Sequence, residues 1–237
     1  MTHVLVIGGS SGMGLGLARF LLDRDATVTI AGRSADRLAT AAHDLADERL
    51  RTVQADITRE DDVRRLVERT GPLDHVVVTA VDATDAYFPI ADFPLSDARA
   101  VLDVKLLGPW LVAKHAAPHV VPGGSITFTS GVAAYRPGPG ASVLAAANGA
   151  LEALARALAL ELAPVRVNVV SPGWVDTPVW DVLAGSGKAE RLAAMADRLP
   201  VGRIGTPEDI AEAFVAVQRN RFMTGSVLHV EGGHRLV

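Results

Sequence analysis

Three glycines near the start of the chain have a spacing that indicates phosphate binding. Gly8, Gly12 and Gly14 lie in VIGGSSGMGLGLA, where a short apolar run gives way to a helical pattern. Glycines let a strand-to-helix turn bend tightly and let the backbone approach a pyrophosphate, which then binds the amides of the helix N terminus. The turn therefore predicts a dinucleotide site, and its predicted contacts are Gly8, Ser10, Ser11, Gly12, Met13 and Gly14.

The end of the second predicted strand indicates which dinucleotide binds. An acidic side chain there would accept hydrogen bonds from the adenosine ribose of NAD, but Gly32 and Arg33 stand at this position. A guanidinium suits a 2′-phosphate, so NADP is favoured over NAD. The alternative is that Arg33 is only a solvated loop residue.

Several other side chains could handle protons or bind a charged substrate. Tyr135 and Arg136 lie in the loop after the fifth predicted strand. Tyr135 could supply a phenol for proton transfer or act as a packing lid, and Arg136 could bind a substrate carboxylate or stay solvated. Asp82 and Asp85 follow the fourth strand, at the crevice where open α/β sheets bind ligands.

The histidines do not indicate a metal site, whereas two of the tryptophans could form an aromatic wall of a substrate pocket. His115 and His119 are four residues apart on a predicted helix, but no third ligand accompanies them. Surface histidines are therefore favoured, and no metal is predicted. Trp174 and Trp180 suit an apolar or aromatic substrate wall, whereas Trp110 is expected to pack on its helix.

Short β-branched runs alternate with helical patterns along the whole chain. The predicted strands are HVLVIGG, ATVTIAG, RTVQAD, HVVVTA, GSITFTS, VRVNVVS and SVLHVE. The intervening helices include one over residues 97–119 and one over 140–162, and Ser34 is placed to cap the second helix. This order predicts an α/β Rossmann fold, a doubly wound parallel sheet with helices on both faces. No linker or repeat interrupts it, so residues 1–237 are predicted to form a single domain.

Composition narrows the class of function. Of the 237 residues, 49% are hydrophobic, and the formal net charge of -4 gives no electrostatic footprint for nucleic acid or anionic lipid. The absence of cysteine excludes thiolate chemistry. No segment is expected to span a bilayer, and strand-like sequence from His3 leaves no room for a cleavable leader. A cytoplasmic protein acting on small molecules is the expectation.

The glycine spacing Gly-x-x-x-Gly-x-Gly resembles that of the short-chain dehydrogenase/reductase family. RVNVVSPGWVDTP, RIGTPEDIAEAF and MTGSVLHVEGG resemble later segments of that family in the same order, so the resemblance covers nearly the whole chain. It implies an NADP(H)-dependent oxidoreductase that assembles as a homo-oligomer, a dimer or tetramer. The positions that it assigns to cofactor contacts, beyond the glycine turn, are Arg33, Ser34, Asp56, Ile57, Thr79, Ala80, Pro172, Gly173, Val175 and Thr177. For Asp56 the alternative is a turn former or N-cap.

The departures from the family pattern are concentrated at its active site. The resemblance puts Leu144 at the family's catalytic tyrosine, Asn148 at its lysine, and Lys105 at an asparagine of the preceding helix. Either Ser130 or Gly131 takes the position of the catalytic serine. In the family the tyrosine exchanges a proton with the substrate while the lysine lowers the pKa of the phenol and holds the cofactor ribose. Leucine cannot exchange a proton, so the usual mechanism is excluded.

The lysine and the asparagine have changed places, which suggests a site with one ammonium and one amide whose anchors are exchanged. The alternative is a drifted pocket, with Lys105 reaching solvent or a carboxylate. The candidate catalytic residues are Ser130, Lys105, Asn148 and Tyr135. A reductase of a carbonyl, imine or enone is favoured because Thr177 and the rest of the cofactor motifs survive. A non-redox cyclase, dehydratase or isomerase and a non-catalytic NADP-binding subunit or sensor remain the alternatives.

Overall fold

The computed structural model describes residues 2–81 and 86–237, and its centre is one parallel sheet. The strand order is β3-β2-β1-β4-β5-β6-β7, and every neighbouring pair is parallel. The strands are β1 (His3–Ile7), β2 (Thr27–Gly32), β3 (Leu50–Gln54), β4 (Leu73–Val78), β5 (Val120–Thr129), β6 (Arg166–Pro172) and β7 (Val227–Val230). The prediction of a doubly wound α/β sheet is confirmed.

Helices cover both faces of this sheet. They are α1 (Gly12–Leu22), α2 (Ala35–Leu45), α3 (Glu60–Thr70), α4 (Leu95–Leu102), α5 (Gly108–Ala116), α6 (Ser142–Glu161), α7 (Val179–Ala184), α8 (Lys188–Ala196) and α9 (Pro207–Arg219). As predicted, the Ser34 hydroxyl caps α2 by accepting a hydrogen bond from the backbone N–H of Arg37, at 3.3 Å. The strand order reverses between β1 and β4, which opens a crevice at their carboxyl ends.

Two apolar layers hold the sheet between its helices. Alternate residues of β1 face opposite layers, with Leu5 and Ile7 in one and Val4 and Val6 in the other. The first layer contains apolar side chains of α3, α5 and α6, and the second contains those of α1, α2 and α9. A strand buried on both faces needs a nearly continuous apolar sequence, which is why HVLVI reads as it does.

The helix predicted over residues 97–119 is interrupted, so that prediction is wrong in detail. A π-helical turn over Asp103–Leu107 separates α4 from α5. Pro109 has no N–H to donate to the carbonyl of Lys105 four residues earlier, which favours a wider turn there. Gly108 lies so close to Ile57 that an added Cβ would be 2.7 Å from the Ile57 Cδ1 atom. The turn therefore lies tight against the loop after β3.

Helix α6 is long and apolar enough to resemble a membrane span, although no segment was expected to do so. Its 20 residues include a window of mean hydropathy 1.4, so by length and composition alone it could cross a membrane. In the fold it packs against β6, and its buried side carries the polar residues Asn148 and Glu152. This is the arrangement of a core helix in an α/β domain.

Candidate functional site

A cavity of about 440 Å³ lies at the carboxyl ends of β1, β2 and β4. It brings together most of the residues that the sequence assigns to cofactor binding, from five separate loops. These residues are Gly8, Ser10, Ser11, Gly12, Met13, Gly14, Arg33, Ser34, Asp56, Ile57, Thr79, Ala80 and Thr177.

The glycine turn forms one wall of this cavity. Gly8 has a φ of +85°, and a Cβ there would lie 2.7 Å from the Ala80 backbone nitrogen. A Cβ on Gly14 would lie 2.3 Å from the Gly8 carbonyl oxygen, so the strand and the helix meet backbone to backbone. No side chain caps the N terminus of α1, which leaves its first amides for an anion. The turn fits a pyrophosphate.

The opposite end of the cavity is positively charged. Arg33 and Arg37 both line it, close to the end of β2, and together they suit a 2′-phosphate. The sequence analysis missed Arg37, although its position four residues after Arg33 in a capped helix was a usable signal. Asp56 lines the same cavity while its Oδ1 accepts hydrogen bonds from the Thr58 backbone N–H and hydroxyl. Asp56 thus acts as a turn former, as the alternative predicted. Its contact with the adenine stays a prediction.

A second cavity of about 850 Å³ is continuous with the first, since Met13, Thr79 and Thr177 line both. The four candidate catalytic residues line it, as do three predicted cofactor contacts that the first cavity lacks. The catalytic candidates are Lys105, Ser130, Tyr135 and Asn148. The three predicted cofactor contacts are Pro172, Gly173 and Val175.

Lys105 lies in the wall of this larger cavity, held by the π-helical turn. It is 6% exposed, and its Nζ donates a hydrogen bond to the Thr129 carbonyl oxygen at 2.8 Å. Burial lowers the pKa of the amine to about 8. The alternative that Lys105 reaches solvent is therefore wrong. Its hydrogen-bond partner is the backbone carbonyl of Thr129 and not a carboxylate.

Asn148 approaches the same strand end from α6. A Cβ on Gly131 would lie 3.1 Å from the Asn148 Nδ2 atom, so the amide lies directly against that backbone. The Asn148 Oδ1 atom is buried and has no hydrogen-bond partner among the described residues. Buried amide oxygens are rarely left unpaired, so this atom fits a ligand donor such as a ribose hydroxyl. Leu144, one turn earlier on α6, is buried and lines the same cavity.

Ser130 and Tyr135 are tied to a carboxylate that the sequence analysis missed. Glu152, buried on α6, accepts a 2.8 Å hydrogen bond from the Ser130 hydroxyl and another from the Tyr135 phenol. A glutamate within a helix of alanine and leucine was the available signal. Its two donors hold the loop after β5 against α6.

The phenol of Tyr135 is poorly placed to ionise. Burial and the hydrogen bond to Glu152 raise the pKa of this phenol to about 12, and its ring contacts the edge of His229 at 4.9 Å between centroids. Tyr135 is half exposed at the rim of the cavity. The geometry therefore favours the lid interpretation over a catalytic phenol.

The outer wall of the larger cavity is aromatic, as predicted. Trp174 and Trp180 lie 4.3 Å apart between ring centroids, and the Trp180 Nε1 donates to the Val175 carbonyl oxygen. Trp110, in contrast, lies on the outer side of α5, where Lys114 of the same helix extends over its ring.

His115 and His119 line neither of the two cavities. His115 contacts Glu60 at 2.8 Å, and His119 lies in a short 3-10 segment beyond α5. Within residues 2–81 and 86–237, no three or more potential ligand side chains cluster as a metal site would require. Asp82 and Asp85 lie outside the described residues.

Comparison with known proteins gives one consistent result. A family profile described as Enoyl-(Acyl carrier protein) reductase matches residues 8–235. The chain is 32% identical to the short-chain dehydrogenase/reductase malC of Malbranchea aurantiaca, over 98% of this chain and 93% of the relative. It is 35% identical to the cis-4-hydroxycyclohexanecarboxylate dehydrogenase of Sinomonas cyclohexanicum, over 98% and 96%.

Two solved structures are similar over nearly their full lengths. One is described as the MalC reductase/Diels-Alderase from Malbranchea aurantiaca, with a TM-score of 0.93 and coverage of 100% of this chain and 97% of that one. The other is a small-chain dehydrogenase in complex with NADPH, 32% identical, with a TM-score of 0.86 and coverage of 100% and 99%.

The buried amine predicts a pH dependence of stability. The folded protein releases the Lys105 proton near pH 8, whereas the unfolded chain keeps it to about pH 10.4. Between these values the unfolded state binds more protons, so the free energy of unfolding rises with pH. From about pH 7.5 to 9.5 this contribution is about 2 kcal/mol, and Lys105→Met should remove it. Urea denaturation at several pH values measures the slope.

Lys114→Met is the matched control for that experiment. Lys114 is half exposed on α5, where it pairs with Glu60 at the surface, so its removal should leave the rise in place. Equal slopes for the wild type and Lys105→Met would contradict the depressed pKa.

Proposed function

Since the chain belongs to the short-chain dehydrogenase/reductase family, we propose that it is an NADP(H)-dependent reductase with a non-standard proton-transfer site. Its substrate is a small carbonyl compound or enone, and Lys105 takes the place of the family's tyrosine and lysine pair. The proposal rests on the match of residues 8–235 to an oxidoreductase family and on the chemistry of the larger cavity.

One observation carries this proposal. A buried ammonium on the π-helical turn and a buried, unpaired amide on α6 meet at the same three residues, 129–131, at the end of β5. Lys105 binds the Thr129 carbonyl, and Asn148 lies against Gly131. A pocket that had merely drifted would not be expected to keep a desolvated cation, because removing an ammonium from water is costly.

The cation has a clear use in carbonyl reduction. When bound, the reduced nicotinamide supplies the hydride, and negative charge then develops on the oxygen of the substrate. Lys105 Nζ presents a positive charge in the same cavity, where the low dielectric strengthens the attraction. A pKa near 8 leaves the amine protonated at neutral pH yet able to give that proton to an alkoxide.

Asn148 serves the cofactor in this proposal. Its unpaired Oδ1 would accept a hydrogen bond from a hydroxyl of the nicotinamide ribose, which an ammonium holds elsewhere in the family. Ser130 acts less directly, because its hydroxyl already donates to Glu152 and so fixes the loop after β5.

The charged side chains that line the larger cavity favour some classes of substrate over others. Its described lining contains the cations Lys105, Arg136, Arg191 and Arg198 and no carboxylate. Such surroundings disfavour a cationic iminium and favour an oxygen on which negative charge develops. A carbonyl or an enone is therefore favoured over an imine.

A non-redox cyclisation is the second candidate function. The similar structure from Malbranchea aurantiaca is described as both a reductase and a Diels-Alderase, and the larger cavity of about 850 Å³ has room for a polycyclic substrate. Product formation without oxidation of NADPH would favour this candidate. A subunit that only binds the cofactor would show neither product formation nor oxidation of NADPH.

A homo-oligomer is also part of the proposal. The exposed face of α6 carries Ala146, Ala153, Ala157 and Leu160, which follow one another at helical spacing. Leu160 is exposed although it is large and apolar, and small neighbours would let a second helix approach closely. We expect a second copy to cover this face.

The cofactor preference gives the first test. NADPH should bind more tightly than NADH, because Arg33 and Arg37 line the ribose end of the cavity. Arg33→Asp should weaken NADPH binding by about 1.5–3 kcal/mol and leave NADH nearly unchanged. Calorimetric titration measures both, with Arg64→Gln on the exposed side of α3 as the control. A wild type that binds NADH as tightly as NADPH would refute the preference.

The catalytic role of Lys105 gives the second test. Lys105→Met should lower kcat for carbonyl reduction by a factor of about 10²–10⁴, the range typical of a lost general acid, while the fold survives. Loss of NADPH absorbance over a panel of ketones and enones measures it, and Lys114→Met is the control. Unchanged turnover in Lys105→Met would eliminate the proposed role.

The assembly gives the third test. Leu160→Lys should shift the elution volume of the protein toward a monomer, because it places a charge in the contact between α6 helices. Size-exclusion chromatography with light scattering gives the mass. A wild type that elutes as a monomer, with a melting temperature independent of dilution, would argue against the oligomer.

A further inference from the structure

The outer part of the larger cavity carries more positive charge than carbonyl reduction requires. Besides Lys105, its described lining contains Arg136, Arg191 and Arg198. Neither Arg191 nor Arg198 forms an ion pair among residues 2–81 and 86–237, and Arg136 donates to an oxygen of Val237. The chain as a whole has a formal charge of -4, so this local excess opposes the overall balance. Unpaired arginines in a concave wall are a common means of binding an anion.

A buried histidine lies among these arginines. His234 is 7% exposed, lines the cavity, and has an Nδ1 atom without a hydrogen-bond partner in the described structure. Burial is the main reason for its lowered pKa; Glu231 opposes the shift, and the nearby charges of Arg136 and Arg198 add to it. The imidazole therefore lies within electrostatic range of both guanidinium groups, with one ring nitrogen left for a ligand.

The aromatic wall continues from this histidine. The Trp174 ring contacts the edge of His234 at 6.4 Å between centroids and lies against Trp180. Arg191 extends over both indoles, 5.7 Å from each ring centroid. A flat hydrophobic surface thus borders the cationic cluster directly, and planar side chains of this kind bind planar ligands well.

We propose that the outer half of this cavity is a binding site for the carboxylate of a planar, conjugated ring substrate. Arg136, Arg198 and His234 bind the carboxylate, and Trp174, with Arg191 above it, packs against the ring. The inference deepens the proposed reductase function by naming its substrate class, and it rests on that function only for what happens after binding.

The arginines retain donors for such a ligand. One guanidinium nitrogen of Arg136 already donates to an oxygen of Val237. The remaining donors of Arg136 and those of Arg198 can bind the two oxygens of a carboxylate. Lys105 lines the same cavity and is the group that the reacting carbonyl would meet there.

Three small probes test this inference by calorimetry on the intact protein, with and without saturating NADP⁺. They are 2-naphthoate, its neutral isostere 2-naphthamide, and cyclohexanecarboxylate, which keeps the charge without the planar ring. The dissociation constant for 2-naphthoate should be at least about tenfold lower than for 2-naphthamide, as the loss of a charge-assisted bond implies. It should also be lower than for cyclohexanecarboxylate, which lacks a planar ring to pack against Trp174.

Single substitutions show which side chains cause the preference for naphthoate. Arg198→Gln and Arg136→Gln, both at exposed positions, should each reduce the advantage of naphthoate over naphthamide about tenfold without changing the melting temperature. Trp174→Leu should reduce the advantage of naphthoate over cyclohexanecarboxylate. Arg64→Gln should leave both ratios as they are.

Equal affinities for naphthoate and naphthamide, or no binding of naphthoate at millimolar concentration, would overturn the inference. A preference retained in the arginine variants would do so as well. These outcomes are separate from those of the reductase proposal. Carbonyl reduction without a carboxylate preference would contradict only the proposed substrate class. A carboxylate preference without hydride transfer would contradict only the proposed reductase function.

Discussion

The interaction on which the site depends is the hydrogen bond from a buried ammonium to the end of a buried strand. Lys105 lies in an environment that disfavours its charge, and the Thr129 carbonyl is the acceptor that holds it there. That carbonyl is available because β5 ends at this residue. The Thr129 hydroxyl in turn donates to the Val78 carbonyl at 2.7 Å, so neighbouring strand ends are joined where the cavities meet. The charge is thus positioned by the sheet itself.

The helical side of the site follows from the same constraint. Lys105 reaches β5 because a π-helical turn replaces a regular one just before Pro109, and Gly108 permits the turn to lie against Ile57. From α6, Asn148 contacts the backbone beside Thr129, and Glu152 binds Ser130 and Tyr135. The end of β5 and the loop that follows it are therefore held from both sides.

Much of this arrangement could be predicted because it depends on local rules. Strand and helix periods, the Gly8 turn and the Ser34 cap follow from short stretches of sequence. The parallel sheet with helices on both faces follows from the alternation of strands and helices. The missed features depend on contacts between distant segments. Glu152 pairs with residues about twenty positions earlier, and the burial of Lys105 depends on a turn that a helical pattern does not reveal. Arg37 belonged to the predictable part, because its spacing from Arg33 was visible.

The most direct test of the proposed exchange of Lys105 and Asn148 introduces, in two steps, the residues that the resemblance assigns to the family. Leu144→Tyr with Asn148→Lys adds the usual pair but leaves two ammonium groups near one strand end, where like charges about 4 Å apart repel by about 4 kcal/mol at intermediate dielectric. Adding Lys105→Asn should relieve that repulsion. Our account predicts that kcat/KM for NADPH-dependent ketone reduction is at least about tenfold higher in the triple variant than in the double variant. A double variant that equals or exceeds the triple variant would contradict it.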